Sequence, residues 1–220
     1  MSFKVEEVLR SRKLAKGIYE TFVSYHGEAP PPGTFFMVWV PGHEAIPLSV
    51  AGYRGDAVRF IVEVRGRTTA ALYTAHKVGL LGPLGRQAPV PSGKPLLVGG
   101  GVGIAPLLYM KELWGGELLF GAKSAEKVPK IDGIDEVATE DGSLGFKGTV
   151  VDLLKLRPQK RDVYACGPPS MISSLKVLAK EMGLKGYYST EKMIKCGIGI
   201  CGSCVLEGKL LCKEPWLRLG

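Results

Sequence analysis

The C-terminal segment holds four of the chain's five cysteines, spaced Cys196-x4-Cys201-x2-Cys204-x7-Cys212. A C-x4-C-x2-C run with a fourth, more distant cysteine is typical of the plant-type [2Fe–2S] cluster. Glycines lie between the first three cysteines, and they let the backbone fold tightly around a sulfur-rich centre and direct N–H groups toward it. The spacing therefore predicts an iron–sulfur cluster held by these four thiolates.

Two other interpretations of the cysteines remain open. Four thiolates also build a closed tetrahedral zinc site, although zinc modules usually pair two C-x2-C knuckles and only Cys201 and Cys204 form one here. Disulfides or inert thiols are the third interpretation. A closely spaced cysteine loop in a chain without a secretory signal favours metal binding over disulfides.

The composition predicts a soluble cytoplasmic protein. A chain of 220 residues is long enough for one large domain or two modest ones, and its 45% hydrophobic and 23% charged residues are ordinary for soluble proteins. No apolar run reaches the roughly 18 residues that a membrane-spanning helix needs. The N-terminal residues alternate charged with apolar side chains and form no signal sequence. We therefore expect a cytoplasmic location and no membrane span.

The net charge of +8 raises the question of a nucleic-acid partner. The basic residues are scattered and interleaved with Asp and Glu, and the densest stretch, residues 10–13, has no aromatic-rich basic stripe beside it. We therefore expect no nucleic-acid binding. The charge is interpreted as a solvated surface, with an acidic protein partner or an anionic substrate as the alternative.

Residues 1–92 are typical of a small antiparallel β-barrel. Apolar, β-branched and aromatic runs at 35–40 and 58–64 are bounded by Gly and Pro, which is the pattern of short strands. One helix is expected over 68–76, where a threonine cap precedes small helix-forming residues. A linker that contains Pro and Gly closes this half of the chain.

Residues 93–188 alternate strands with helices. An apolar strand at 95–98 leads through glycines into a helix over 105–114, and a later helix over 171–182 ends at a glycine C-cap. Such βαβ alternation predicts a parallel sheet whose ligands bind at the carboxyl ends of its strands. The cysteine segment, 189–220, is expected to form a third, small unit.

Two strand–helix turns in this half are candidate cofactor-binding loops. The first contains Gly100, Gly101 and Gly103, which would let a pyrophosphate or a flavin approach the backbone at a helix N-terminus. Pro106 takes the place of the last glycine of a G-x-G-x-x-G loop. A tight strand–helix turn without a ligand is therefore the alternative.

The second turn carries Cys166, whose thiol could line a nicotinamide pocket. Buried cysteines also serve as small apolar residues, which is the alternative. The three histidines are far apart in sequence and show no metal-ligand spacing, and no Ser-His-Asp or paired-carboxylate arrangement stands out. We therefore predict no catalytic residue in this chain.

Taken together, these segments resemble the electron-transfer subunits of dihydroorotate dehydrogenase, a family of the ferredoxin-NADP reductase superfamily. The resemblance covers nearly the whole chain, and the cysteine motif that follows a reductase module is its most specific part. It runs in order through Pro32-Gly-Thr-Phe35, Ile46-Pro-Leu-Ser49, Gly82-Pro-Leu-Gly85, the glycine loop 99–106, Cys166-Gly-Pro168 and Cys196-Gly-Ile-Gly-Ile-Cys-Gly-Ser-Cys204.

The resemblance implies a flavin-binding barrel, a nicotinamide-nucleotide α/β domain and a C-terminal [2Fe–2S] unit, with FAD and NAD as cofactors beside the cluster. The family's flavin segment is Arg-Pro-x-Ser, and this chain has Ile46 in place of the arginine. Arg65 or Arg67 is expected to supply the missing positive charge. The implied cofactor contacts are Pro47, Leu48, Ser49, Val62, Glu63, Val64, Gly66, Thr68, Thr69, Gly100, Gly101, Gly103 and Cys166.

The resemblance also implies an oxidoreductase subunit. Electrons would pass from a partner, the dihydroorotate dehydrogenase catalytic subunit, through the cluster and FAD to NAD⁺, in pyrimidine biosynthesis. The partner would form a hetero-oligomer with this chain and bind near the cluster. Two alternatives stay open: a reductase subunit that delivers NAD(P)H electrons to ferredoxin, sulfur compounds or a hydrogenase, and a zinc-binding adaptor without redox activity.

Overall fold

The computed structural model describes residues 2–157 and 160–220. Its N-terminal half contains six strands: β1 (Lys4–Ala15), β2 (Ile18–Ser24), β3 (Phe35–Trp39), β4 (Ile46–Arg54), β5 (Ala57–Glu63) and β6 (Lys77–Leu84). They close into a barrel in the order β1-β2-β5-β4-β3-β6, and every neighbouring pair is antiparallel. The predicted antiparallel barrel is confirmed.

Aromatic side chains fill the barrel. Tyr19, Phe36 and Phe60 are almost fully buried, and the rings of Phe36 and Phe60 meet edge to face with centroids 5.9 Å apart. Burying a side chain of this size contributes roughly 1.5–3 kcal/mol. The short helix α1 (Arg67–Thr74) connects β5 to β6, and it ends before residue 76 because Ala75 adopts an extended conformation.

The C-terminal half is built on a seven-stranded sheet with the order β10-β9-β8-β7-β11-β12-β15, and a two-stranded hairpin, β13–β14, lies beside it. All neighbours in the sheet are parallel except β15, which pairs antiparallel with β12. The predicted parallel sheet is confirmed. The strands are β7 (Leu96–Gly100), β8 (Glu117–Ala122), β9 (Glu136–Thr139), β10 (Phe146–Lys147), β11 (Val163–Gly167), β12 (Gly186–Thr190), β13 (Val205–Leu206), β14 (Lys209–Leu210) and β15 (Leu217–Arg218).

Three helices complete this half: α2 (Ile104–Trp114), α3 (Val150–Lys155) and α4 (Pro169–Met182). α2 packs its apolar residues between the sheet and the outside of the barrel, where it meets Ala51 and Ile61. α3 and α4 pack in a second core, away from α2. The left-handed Gly183 closes α4 as the sequence predicts, whereas the helix begins at Pro169, two residues before the predicted start.

The second core also joins the cysteine segment to the rest of the molecule. Cys204, Leu211 and Cys212 are buried in it together with Met37 and Leu84 of the barrel. The chain then returns to the sheet through β15, which sequence patterns did not indicate. The division into units 1–92, 93–188 and 189–220 stays a prediction. No helix within residues 2–157 or 160–220 is long and apolar enough to cross a membrane.

Candidate functional site

A central cavity of about 480 Å³ lies where the barrel meets the sheet. Its barrel wall contains Pro47, Leu48 and Ser49 of β4 and Val62 and Glu63 of β5. Residues 46–49 are half-buried, whereas the next residues of β4 are buried against α2, so only the first part of this strand faces the cavity. The other walls include Arg65, Thr69, Gly103, Cys166, Glu191, Ile194, Leu211 and Trp216.

A rim cavity of about 580 Å³ adjoins the central cavity and is formed by residues 42–44, Ile46 and residues 65–69. The Thr69 hydroxyl accepts hydrogen bonds from the N–H groups of Arg65 (2.9 Å) and Gly66 (3.0 Å), which fixes the turn before α1. Ile46 and Arg67 both line this cavity. The turn at residues 65–69 therefore lies beside Ile46, the position where the family has an arginine.

Arg65 lies between the cavities and is held by two carboxylates. Its Nη1 and Nη2 donate to Glu191 at 2.6 and 3.1 Å, and its Nε donates to Glu63 at 2.7 Å. Glu63 also pairs with Lys127 at 3.4 Å. Burial pushes the pKa of Glu63 upward, but Arg65 and Lys127 outweigh it and leave the pKa below its ordinary value. Glu63 therefore stays a carboxylate at neutral pH.

A sheet groove of about 620 Å³ runs along the carboxyl ends of β7, β8 and β11. It is lined by Gly100 and Gly101 of the first turn and by Pro168 and Ser170 at the start of α4. Free backbone N–H groups and the helix dipole favour an anion at such a helix N-terminus. Arg65, Lys123 and Lys127 add positive charge, and Glu63, Glu140 and Glu191 add an equal number of carboxylates. The groove has the chemistry expected for a dinucleotide.

The two predicted turns meet at Gly103 and Cys166. A Cβ atom on Gly103 would lie 2.2 Å from the carbonyl oxygen of Cys166, so only glycine allows the turns to approach this closely. The Cys166 thiol is buried at the central cavity, and burial raises its pKa to about 12. It is therefore a neutral thiol at physiological pH.

The predicted flavin and nicotinamide contacts line these cavities with one exception. Val64 is 45% exposed and lines none of the cavities described above. Glu191 is a lining residue that sequence patterns missed, because it follows β12 and that strand was not predicted. Lys123 follows β8, and its position after a predicted parallel strand was the signal that could have identified it.

The cysteine unit, residues 195–212, forms two pairs of thiols. Cys196 and Cys201 lie toward the surface, whereas Cys204 and Cys212 are buried. The N–H of Cys212 also donates to the sulfur of Cys204 at 3.5 Å. Among residues 2–157 and 160–220, no group of three or more His, Cys, Asp or Glu side chains is arranged to hold a metal ion.

Backbone N–H groups point at the sulfur atoms. The N–H groups of Cys201, Ile198 and Ile200 lower the pKa of Cys196 to about 6, and hydrogen bonds from Ser203 lower the pKa of Cys201. Burial raises the pKa of Cys212 to about 11, and its partner Cys204 adds to this effect. Thiolates of a metal centre are stabilised by such N–H donors, so the chemistry of this donor set fits an iron–sulfur group that the four cysteines would hold.

Close packing fixes this unit against the barrel. A Cβ atom on Gly197 would lie 2.8 Å from Met37 Cγ and 2.9 Å from Leu84 Cδ1. On the other side, Lys176 of α4 pairs with Glu207 of the hairpin turn and lies 4.8 Å from the ring centroid of Tyr188. The cysteine unit therefore contacts both the barrel and the sheet domain.

The barrel joined to a parallel sheet defines the class of protein, an oxidoreductase of the ferredoxin reductase type. A protein from Archaeoglobus fulgidus named as a probable dihydroorotate dehydrogenase B (NAD(+)), electron transfer subunit is 40% identical over 193 residues, which covers 81% of each chain. A protein of the same name from Thermoplasma acidophilum is 33% identical over 213 residues, 92% of this chain and 84% of its own. The chain therefore belongs to the family of dihydroorotate dehydrogenase B electron transfer subunits.

Solved structures agree with this class. An NADH-dependent reduced ferredoxin-NADP oxidoreductase, studied for flavin-based electron bifurcation, superposes with a TM-score of 0.84 at 29% identity and covers 98% of this chain and 88% of its own. Phthalate dioxygenase reductase, at 19% identity and a TM-score of 0.61, covers 82% of this chain and 64% of its own and shares the fold. No family model matches the sequence.

Proposed function

We propose that this chain is the electron-transfer subunit of a dihydroorotate-oxidising complex that reduces NAD⁺. A catalytic partner subunit would oxidise dihydroorotate, and the electrons would reach NAD⁺ by way of a [2Fe–2S] cluster and FAD held by this chain. We place the complex in the cytoplasm, in pyrimidine biosynthesis. The name shared by relatives at 40% and 33% identity supports this assignment.

The observation that carries the proposal is the composition of the central cavity wall. Gly103 and Cys166 bring the turns of the sheet domain to the cavity, and Leu211 brings the cysteine unit to it, with Ile194 just before that unit. A bound flavin can exchange hydride with a nicotinamide and single electrons with a cluster. The cavity between the two other cofactor regions is therefore the position that suits a flavin.

The residues present fit the groups that the family implies. Backbone groups and the Ser49 hydroxyl of β4 would hold FAD in the central cavity. Arg67, which lines the rim cavity beside Ile46, or Arg65, whose charge is shared with Glu63 and Glu191, would supply the positive charge that Ile46 lacks. Gly100 and Gly101 would bind the diphosphate of NAD in the sheet groove. Glu63 and Glu191 hold Arg65 in place, so we assign them a positioning role.

We assign the [2Fe–2S] cluster to Cys196, Cys201, Cys204 and Cys212. The two thiol pairs offer two ligands to each iron, and the backbone N–H groups near Cys196 would stabilise its thiolate form. We place the partner interface near Cys201, the most exposed of the four, because single electrons must reach the cluster from outside this chain.

The test uses the chain purified from its native source with its partner. The complex should contain stoichiometric FAD, iron and sulfide and should couple dihydroorotate oxidation to NAD⁺ reduction. This chain alone should oxidise NADH with artificial electron acceptors and should leave dihydroorotate unchanged, because we assign its base to the partner. Oxidation of dihydroorotate by the isolated chain would contradict the proposal, and stoichiometric zinc without flavin would favour an adaptor instead.

A second candidate is favoured by the structural likeness at a TM-score of 0.84, whose protein is an NADH-dependent reduced ferredoxin-NADP oxidoreductase. In that case reduced ferredoxin and NADP would be substrates of the complex. The protein that copurifies separates the two candidates. A dihydroorotate-oxidising partner supports the first, and a ferredoxin-linked partner with NADP activity supports the second.

A further inference from the structure

A fourth cavity, of about 810 Å³, shares no lining residue with the three cavities of the candidate site. The outer surface of the barrel forms one side of it, and α2 with the loop 130–133 forms the other. Six cationic side chains and three carboxylates line it: Arg10, Arg12, Arg54, Arg59, Lys111 and Lys130, with Glu20, Glu112 and Asp132. We refer to this cavity as the basic groove.

A buried carboxylate organises the barrel side of the basic groove. Glu20 is 1% exposed and accepts hydrogen bonds from Arg12 Nε at 2.8 Å and from Arg59 Nε at 2.8 Å. Second nitrogens of the two guanidinium groups lie 2.7 and 2.6 Å from the same carboxylate. Two fixed cations therefore share one anion, which leaves a net positive charge at this position.

Two further cations are available for an external anion. The Arg10 guanidinium lies 4.6 Å from the ring centroid of Phe22, and Arg59 lies 5.9 Å from the same ring. Lys130 stands on the loop that faces the barrel. In the part of the chain that the structure describes, neither Arg10 nor Lys130 has an ion-pair partner. By contrast, Arg54 and Lys111 are already paired with carboxylates.

We propose that the basic groove binds a small-molecule anion that carries a chain of phosphate groups. Planar guanidinium groups bind phosphate through paired hydrogen bonds, and Arg12 and Arg59 are held in fixed orientations for such contacts. The cavity volume falls in the range of small-molecule sites, about 300–1,000 Å³. Because the ligand would contact both the barrel and the loop 130–133, its binding would brace the two halves of the molecule.

The test measures polyphosphate binding by titration calorimetry on the full chain loaded with flavin. Inorganic triphosphate and a nucleoside triphosphate are the two probes, and they distinguish the phosphate chain alone from a chain attached to a base. The variant Arg10→Ala/Lys130→Ala removes the two unpaired cations, and Lys180→Ala/Lys185→Ala is the matched control on exposed lysines elsewhere. Since Arg10 and Lys130 make no ion pair, both variants should fold.

The variant Arg10→Ala/Lys130→Ala is called the groove variant. We expect it to bind triphosphate at least about tenfold more weakly than the parent chain, because each lost contact is a charge-assisted hydrogen bond. The control should bind within about twofold of the parent, and added salt should weaken binding. The substituted residues do not line the sheet groove, so NAD binding there, flavin content and NADH oxidation should not change. Loss of triphosphate binding can therefore be distinguished from loss of electron transfer.

Three outcomes would overturn the proposal. The first is the absence of saturable binding of either probe at millimolar concentration. The second is equal affinity in the groove variant and the control. The third is weaker binding of the catalytic partner by the groove variant without any binding of triphosphate, which would assign the basic groove to a protein interface.

Discussion

The sheet groove and the cysteine unit are built in different ways. The groove offers backbone groups, namely the glycine turn at Gly100–Gly101 and the start of α4, and its three cationic and three anionic side chains balance in charge. The cluster that we propose for the cysteine unit would depend on four particular side chains, to which the backbone donates N–H groups. A site built from backbone groups should lose function by degrees when side chains change, whereas a site built from side-chain ligands should fail when one ligand is lost.

The largest effect is expected from Cys204→Ser. A binuclear cluster needs all four thiolates, so this variant should lose its visible cluster absorption or release iron rapidly. The measurement is the absorption spectrum together with iron and sulfide content. The control is Cys166→Ser, which should keep the cluster absorption because Cys166 belongs to the second turn. Equal absorption in both variants would show that Cys204 is not a ligand.

Gly103→Ala tests the close approach between the glycine turn and the turn that carries Cys166. The new Cβ would lie 2.2 Å from the Cys166 carbonyl oxygen, so the two turns must separate. We expect unfolding free energy to fall by about 1–3 kcal/mol and NADH oxidation at the flavin to slow. Gly93→Ala is the matched control, since its Cβ would meet no atom within 4 Å. Chemical denaturation and NADH-linked acceptor assays measure both effects, and an unaffected Gly103→Ala variant would contradict the close approach.

The same contrast explains what could be predicted from sequence. Cys196–Cys204 is recognisable because side-chain ligands must keep their identity and spacing. The glycine turn was recognisable for the same kind of reason, since only glycine fits at Gly103. Glu191 was missed because its position depends on β12, whose residues 186–190 follow a helix without a distinctive pattern.

The charged lining also depends on folding that sequence does not display. Arg65 could be suspected only through the missing arginine at Ile46, and its bonds to Glu191 join residues far apart in the chain. The basic groove was even harder to predict from the sequence. The cations on β1 lie in the stretch that sequence patterns assigned to a solvated surface, and the buried Glu20 that organises two of its arginines has no sequence signature.

Arg65→Ala should have an intermediate effect, on flavin retention. Arg65 lines the central and rim cavities, so its loss should weaken FAD binding by roughly tenfold if it contacts the flavin phosphates through one charge-assisted hydrogen bond. Arg67→Ala is the comparison variant, because Arg67 lines only the rim cavity and is exposed. Flavin fluorescence after gel filtration measures retention. If both variants retain FAD like the parent chain, another group replaces the arginine that Ile46 lacks.

The smallest effect is expected at the start of α3, where Thr149 lines the sheet groove and forms a capping box with Asp152. Thr149→Ala should lower the unfolding free energy by about 1 kcal/mol near neutral pH.

The hydrogen bonds that Asp152 accepts from Thr149 hold the pKa of Asp152 below its ordinary value. A carboxyl whose pKa is depressed in the folded state stabilises the fold above its unfolded pKa, and this contribution is lost as the pH falls through the folded pKa. The stability difference between the parent chain and Thr149→Ala should therefore shrink below about pH 4. Denaturation at a series of pH values measures it, with Asp152→Asn as the control that removes the titrating group. A difference that stays constant down to acid pH would show that the cap stabilises α3 without the charge of Asp152.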